Sequence, residues 1–137
     1  MEKNRVNRKI KAFTLSELLV VLVIIGILVL IALPNLMPLI SRAKSTEAKM
    51  QLSHLHNLEK NYFYMYSKYS AEFDVIGFEH EKLITEDGNA NYKIEIVEST
   101  INSFKARATA VADFDGDGTF NVWEIDQDKR LTEVVKD

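Results

Sequence analysis

Apolar and polar positions divide this chain into three stretches with different periodicities. From Phe13 to Pro34 the residues FTLSELLVVLVIIGILVLIALP are apolar almost without interruption, and Glu17 is the one charge among them. At about 1.5 Å rise per residue, such a run crosses a bilayer core of about 30 Å as a helix. From Ile40 onward Ala48, Leu52, Leu55, Leu58, Tyr62, Met65 and Tyr69 recur at steps of three and four on an otherwise charged segment. That spacing predicts an amphipathic helix with a single apolar stripe, which another part of the chain must cover. Beyond Asn91 the period falls to two. Tyr92, Ile94 and Ile96 alternate with Lys93 and Glu95, while Phe104, Ala106, Ala108 and Ala110 alternate with Lys105, Arg107 and Thr109. Both patterns predict half-buried strands, and small alanines on the inward face would let the helix lie close. TFNVWEID and RLTEVV then flank a polar turn at Asp126–Lys129, a hairpin that completes an antiparallel meander of three or four strands. The expected fold class is α+β, with a long N-terminal helix packed on a C-terminal antiparallel β-meander.

Prolines and glycines punctuate this plan. Pro34 and Pro38 each remove a helical donor and crowd the preceding turn, so a kink or local unwinding is expected between Leu30 and Pro38. The connection from Ser70 to Asn91 carries turn signals near Ile76–Gly77 and at Asp87-Gly88-Asn89. The predicted organisation is a basic leader at 1–12, an apolar helix at 13–38, an amphipathic continuation at 39–70 and a sheet region at 71–137.

Charge changes the picture at the N-terminus. Lys3, Arg5, Arg8, Lys9 and Lys11 stand against Glu2 alone, and by the positive-inside rule this holds residues 1–12 in the cytoplasm and places the C-terminal bulk across the membrane. A secretory signal would follow its apolar region with a small-x-small cleavage site, whereas Pro34, Asn35, Leu36, Met37 and Pro38 follow here, so the apolar helix is expected to stay attached. Without residues 1–12 the 17 basic residues fall to 12 and the 20 acidic ones to 19, a net charge near −7. That balance disfavours nucleic-acid binding by counterion release. The 137 residues suffice for one small domain plus an anchor, and the absence of cysteine leaves packing, oligomerisation or a metal to hold the periphery.

No nucleophile–base arrangement, glycine-rich phosphate loop or Cys/His cluster occurs in the sequence, so nothing in it supports catalysis. His54 and His56 point to opposite sides of a helix and His80 stands alone. The aromatics Tyr62, Phe63, Tyr64, Tyr66 and Tyr69 fall at helical spacing and read as packing residues.

KAFTLSELLVVLVIIGILVLIALPNL resembles the N-terminal signal of type IV prepilins and type II secretion pseudopilins. The resemblance covers about the first 50 residues and departs from the family in having Ala12 where a glycine generally precedes the cut. It implies cleavage between Ala12 and Phe13 by prepilin peptidase, N-methylation of Phe13, and an assembly role for Glu17, the fifth mature residue. In the family such a glutamate can meet the N-terminus of a neighbouring subunit, and two groups costly to leave unpaired in an apolar bundle then offset one another. Gly26 and Pro34 fall where the family has helix-weakening residues. The partners implied are further copies of the chain in a helical filament and an inner-membrane assembly platform. The implied location is the bacterial inner membrane, with the C-terminus periplasmic, and then the filament.

A second motif lies between strands. Asp113-Phe-Asp115-Gly-Asp117-Gly118, continuing through Thr119 to Glu124, fits the twelve-residue calcium loop, with carboxylates at positions one, three and five, glycine at six and glutamate at twelve. An extended Thr119–Asp126 would carry Glu124 away from Asp113. The expectation is then a partial calcium site made by Asp113, Asp115, Asp117 and the Thr119 carbonyl, beside the alternative of a metal-free acidic turn. Two function classes remain, a structural filament subunit of a type IV pilus or type II secretion pseudopilus and a monomeric membrane-tethered calcium-binding module. The leader, Glu17 and the long helix favour the first.

Overall fold

In the computed structural model residues 12–136 are described, and the expectations placed on the basic segment 1–11 lie outside them. Helix α1 runs Leu15–Tyr66 and a one-turn helix α2 runs Phe73–Ile76. Four strands follow, β1 Tyr92–Ser99, β2 Phe104–Ala110, β3 Val122–Asp126 and β4 Leu131–Val135. The chain divides into two compact units, one ending at Asn35 and the other starting at Leu36.

The first unit is the apolar part of α1. None of its described residues is buried, and Leu19, Ile24, Leu28 and Ile31 are each more than half exposed. A helix that is apolar on every side and covered on none has no core within its own unit. Its most apolar window has a mean hydropathy of 3.0, enough in length and composition to span a bilayer.

Residues 30–38 remain helical throughout, so of the expected kink or local unwinding the unwinding does not occur. Pro34 and Pro38 each delete one donor, but the hydrogen bonds on either side persist. Asn35 Nδ2 adds a bond to the Ile31 carbonyl at 3.2 Å.

In the second unit the stripe on α1 is Ser41, Ser45, Ala48, Leu52, Leu55, His56 and Glu59, all buried. The sheet is an antiparallel meander in the order β1-β2-β3-β4. Its inward face presents Tyr92 and Ile94, then Phe104, Ala106, Ala108 and Ala110, then Trp123 and Ile125. Ala108 is the register partner of both Ile94 and Trp123, so the small residues of β2 lie between larger ones on either side.

One polar cluster fastens the helix to the start of the sheet, and a second ties the strands to one another. Glu47 on α1 accepts from the Asn91 N–H at 2.7 Å and from Asn91 Nδ2 at 2.6 Å, and Lys44 Nζ donates to Asn91 Oδ1 at 2.9 Å. Fully buried Asn121 accepts from the Tyr92 hydroxyl at 2.7 Å and donates to Glu133 Oε1 at 2.8 Å and to the Val135 carbonyl at 3.0 Å. One side chain thus ties β1, the approach to β3, and β4.

The helix stops earlier than the periodicity suggested. Ser67 takes a left-handed conformation, φ 53°, while its N–H closes the last turn on the Phe63 carbonyl. Met65, expected in the stripe, is 69% exposed. Tyr69 lies beyond the helix yet is buried, stacked between Phe63 and Phe104. Its N–H bonds the Thr100 carbonyl, so the chain leaves α1 to meet the β1–β2 turn.

Candidate functional site

Thr14 and Glu17 form a reciprocal cap at the start of α1. The Thr14 N–H donates to Glu17 Oε2 at 2.7 Å and the Glu17 N–H donates to Thr14 Oγ1 at 3.3 Å. A Thr-x-x-Glu box satisfies two donors that a helix N-terminus leaves free, and its negative end suits the helix dipole. Phe13 is 87% exposed just before it, with Ala12 also exposed. The expected cleavage bond therefore lies outside the helix and open to solvent, one residue from the cap. Gly26 has nothing within 4 Å of where a Cβ would stand, and it lies within the helix, as does Pro34.

The acidic motif forms a tight loop. Gly116 and Gly118 have φ of 83° and 89°, a conformation that side chains resist, and this curls the chain back on itself. Asp113 accepts from the Gly116 N–H at 2.6 Å and the Gly118 N–H at 2.7 Å, Asp115 from the Asp117 N–H at 3.1 Å, and Asp117 from the Thr119 N–H at 2.7 Å. The Gly118 N–H, helped by that of Gly116, holds the Asp113 carboxyl below the usual aspartate range, with partial burial opposing. Carboxylate oxygens of Asp113, Asp115 and Asp117 lie within 4.8 Å of one another.

These are hard donors in a spacing that suits calcium. Glu124 does not join them, a correction to the twelve-residue pattern. It sits on β3 opposite Arg107, whose Nε and Nη2 reach Glu124 Oε1 at 2.8 and 2.6 Å. The strand that carries it also carries it away.

Sequence reasoning missed Glu59, which is fully buried on the helix stripe. Its Oε2 accepts the Ser70 N–H at 3.0 Å, holding down the turn after α1, while Oε1 has no partner. Its position was readable, since 59 continues the series 48, 52, 55. Burial pushes its carboxyl above the usual glutamate range, against the lowering effect of the Ser70 N–H. The folded state therefore holds this proton more tightly than the unfolded one. Its contribution to stability is fully present below about pH 4.5 and falls as pH rises through the raised value. Glu59→Gln is expected to remove that decline, measured as urea unfolding midpoints from pH 4.5 to 8. Asp113 acts in the opposite sense and in a lower window, since its contribution is lost as pH falls below about 3.8.

The architecture and the capped apolar helix define a pilin-like α+β protein. Residues 7–33 match the family described as the prokaryotic N-terminal methylation motif. The chain is also 40% identical over 82 residues to the type IV major pilin protein PilA of Myxococcus xanthus (strain DK1622), a match covering 60% of this chain and 37% of that protein. In that match the chain spans little more than a third of the relative's length.

Proposed function

We propose that the chain is a structural, non-enzymatic subunit of a type IV pilus, made as a membrane-anchored precursor and assembled through its N-terminal helix. The observation that carries this reading is a helix apolar on every face, with no covering partner in its own unit, inside a methylation motif. Prepilin peptidase would cut between Ala12 and Phe13 and leave a methylated Phe13 amine beside Glu17. An inner-membrane platform would then pass each helix from lipid to a bundle of identical helices. Similarity to a major pilin favours a pilus over a secretion pseudopilus. Intact-mass measurement of the protein from sheared filaments tests the processing, the expected species lacking residues 1–12 and carrying one added methyl. An unprocessed chain at the cell surface would refute it.

We propose calcium as a ligand of the Asp113–Asp117 loop, with the Thr119 carbonyl as a further donor. A cation held only by the folded form would stabilise it and relieve the repulsion among three carboxylates. Millimolar calcium is expected to raise the melting temperature by several degrees over chelator. Asp115→Ala should abolish the difference and Glu124→Ala should keep it. Equal melting in both buffers would leave a metal-free turn.

A further inference from the structure

We propose that a cavity of about 320 Å³ in the second unit, walled by α1, β3 and β4, is a binding site for a phosphate-type oxyanion. Its cations are Arg42 and Lys49 from the helix and Lys136 after β4. They converge although the chain as a whole is acidic, so the positive sign is local to this cavity. The single opposing carboxylate is Glu133, which already accepts a hydrogen bond from Asn121 at 2.8 Å.

The wall also holds the indole of Trp123, which is nine-tenths buried. Lys49 Nζ lies 4.3 Å from the centre of the Trp123 ring, which holds the ammonium against the indole face at the cavity. Ser45, also on the wall and buried, spends its proton on the Arg42 carbonyl at 2.9 Å and so anchors the turn that carries the guanidinium. A guanidinium fork and two ammonium groups are donors without lone pairs, complementary to a group with several acceptor oxygens and negative charge. The volume is at the lower end for ligand sites and is large enough for a phosphate or a phosphorylated headgroup.

Two sources share this chemistry. Arg42 follows the apolar run by only four residues from Pro38, so an anionic phospholipid headgroup is within the chain's reach before assembly, while a soluble phosphate is available at any stage. The proposal stands whether or not the chain forms pili.

Trp123 is the only tryptophan in the chain, so its fluorescence reports this cavity alone. The full chain in zwitterionic detergent should show a saturable change on titration with inorganic phosphate, absent with chloride at equal ionic strength. Alternatively, nanodiscs of phosphatidylcholine with phosphatidylglycerol, in phosphate-free buffer, should give a change that phosphatidylcholine alone does not. The first result assigns a soluble oxyanion and the second a lipid headgroup. In whichever arm responds, Arg42→Gln and Lys136→Gln should each weaken the response by about tenfold, the loss of one charge-assisted contact, and Lys105→Gln, on β2, should not. Both Arg42 and Lys136 are exposed, so their replacement leaves the core intact. No saturable change in either arm, or one indifferent to Arg42 and Lys136, would overturn the proposal.

Discussion

Glu17→Ala is expected to leave the protein inserted in the membrane and to abolish filaments. Insertion should survive because removing a carboxylate from an apolar helix lowers its transfer cost. Assembly should not, because a methylated Phe13 amine entering a bundle of apolar helices would then have no counter-charge, and an unpaired buried charge is strongly destabilising. The capping box complicates this variant, since alanine also loses the bond from the Thr14 N–H. Glu17→Gln separates the two effects. Glutamine can still accept from Thr14, so it keeps the cap and loses only the charge. Counting sheared filaments by electron microscopy, with membrane fractionation alongside, reads both outcomes. Normal filaments from Glu17→Gln would mean that the glutamate serves its own helix and nothing else.

Leu52→Ala should be the most damaging single truncation in the second unit. Leu52 is fully buried in the core cluster, and leucine truncations of this kind cost about 3–5 kcal/mol when the site cannot collapse. Collapse is obstructed here. The cluster around it includes Ala48 on the helix and Ala106, Ala108 and Ala110 on β2, and alanine has no rotamer with which to fill a cavity. Against a total stability of about 5–15 kcal/mol the loss is a large fraction. Two positions earlier, Met50 is 69% exposed, and Met50→Ala should stay within about 0.5 kcal/mol of wild type. Urea unfolding followed by Trp123 fluorescence measures both. A loss below about 1 kcal/mol for Leu52→Ala would show that the helix shifts to close the gap.

Much of this architecture could be read from side-chain period. The strand Phe104–Ala110 was legible residue by residue, because Ala106, Ala108 and Ala110 alternate with long polar partners. The Asp126–Lys129 turn was legible from composition, and in the structure Asp126 Oδ1 accepts from the N–H groups of Asp128 and Arg130, both at 2.9 Å. What escaped was set by tertiary partners. The helix ends at Tyr66, where Ser67 turns left-handed, and two residues further on the Tyr69 N–H bonds Thr100, more than thirty residues away in sequence. Glu59 breaks the apolar code of its stripe for the sake of one backbone bond to Ser70.

The candidate site divides in the same way. Glu17 and the three aspartates stand out in the sequence because charge is rare in one setting and periodic in the other. The Thr14–Glu17 cap was also written there, as Thr-x-x-Glu before an apolar run, and the single charge drew attention away from it. The oxyanion cavity has no linear signature, because Arg42, Trp123 and Lys136 come together only when the helix lies on the meander.

That meander has a consequence for how the domain matures. Each strand pairs only with the next in sequence, β1 with β2, β2 with β3 and β3 with β4. Short loops close cheaply, so hairpins can form in succession within microseconds and wait for little beyond docking of the helix stripe. With no thiol in the chain, no step depends on oxidation or on disulfide isomerisation. A domain of this design is complete as fast as its strands zip and its helix docks, and that rate is independent of the redox poise of the compartment in which it folds.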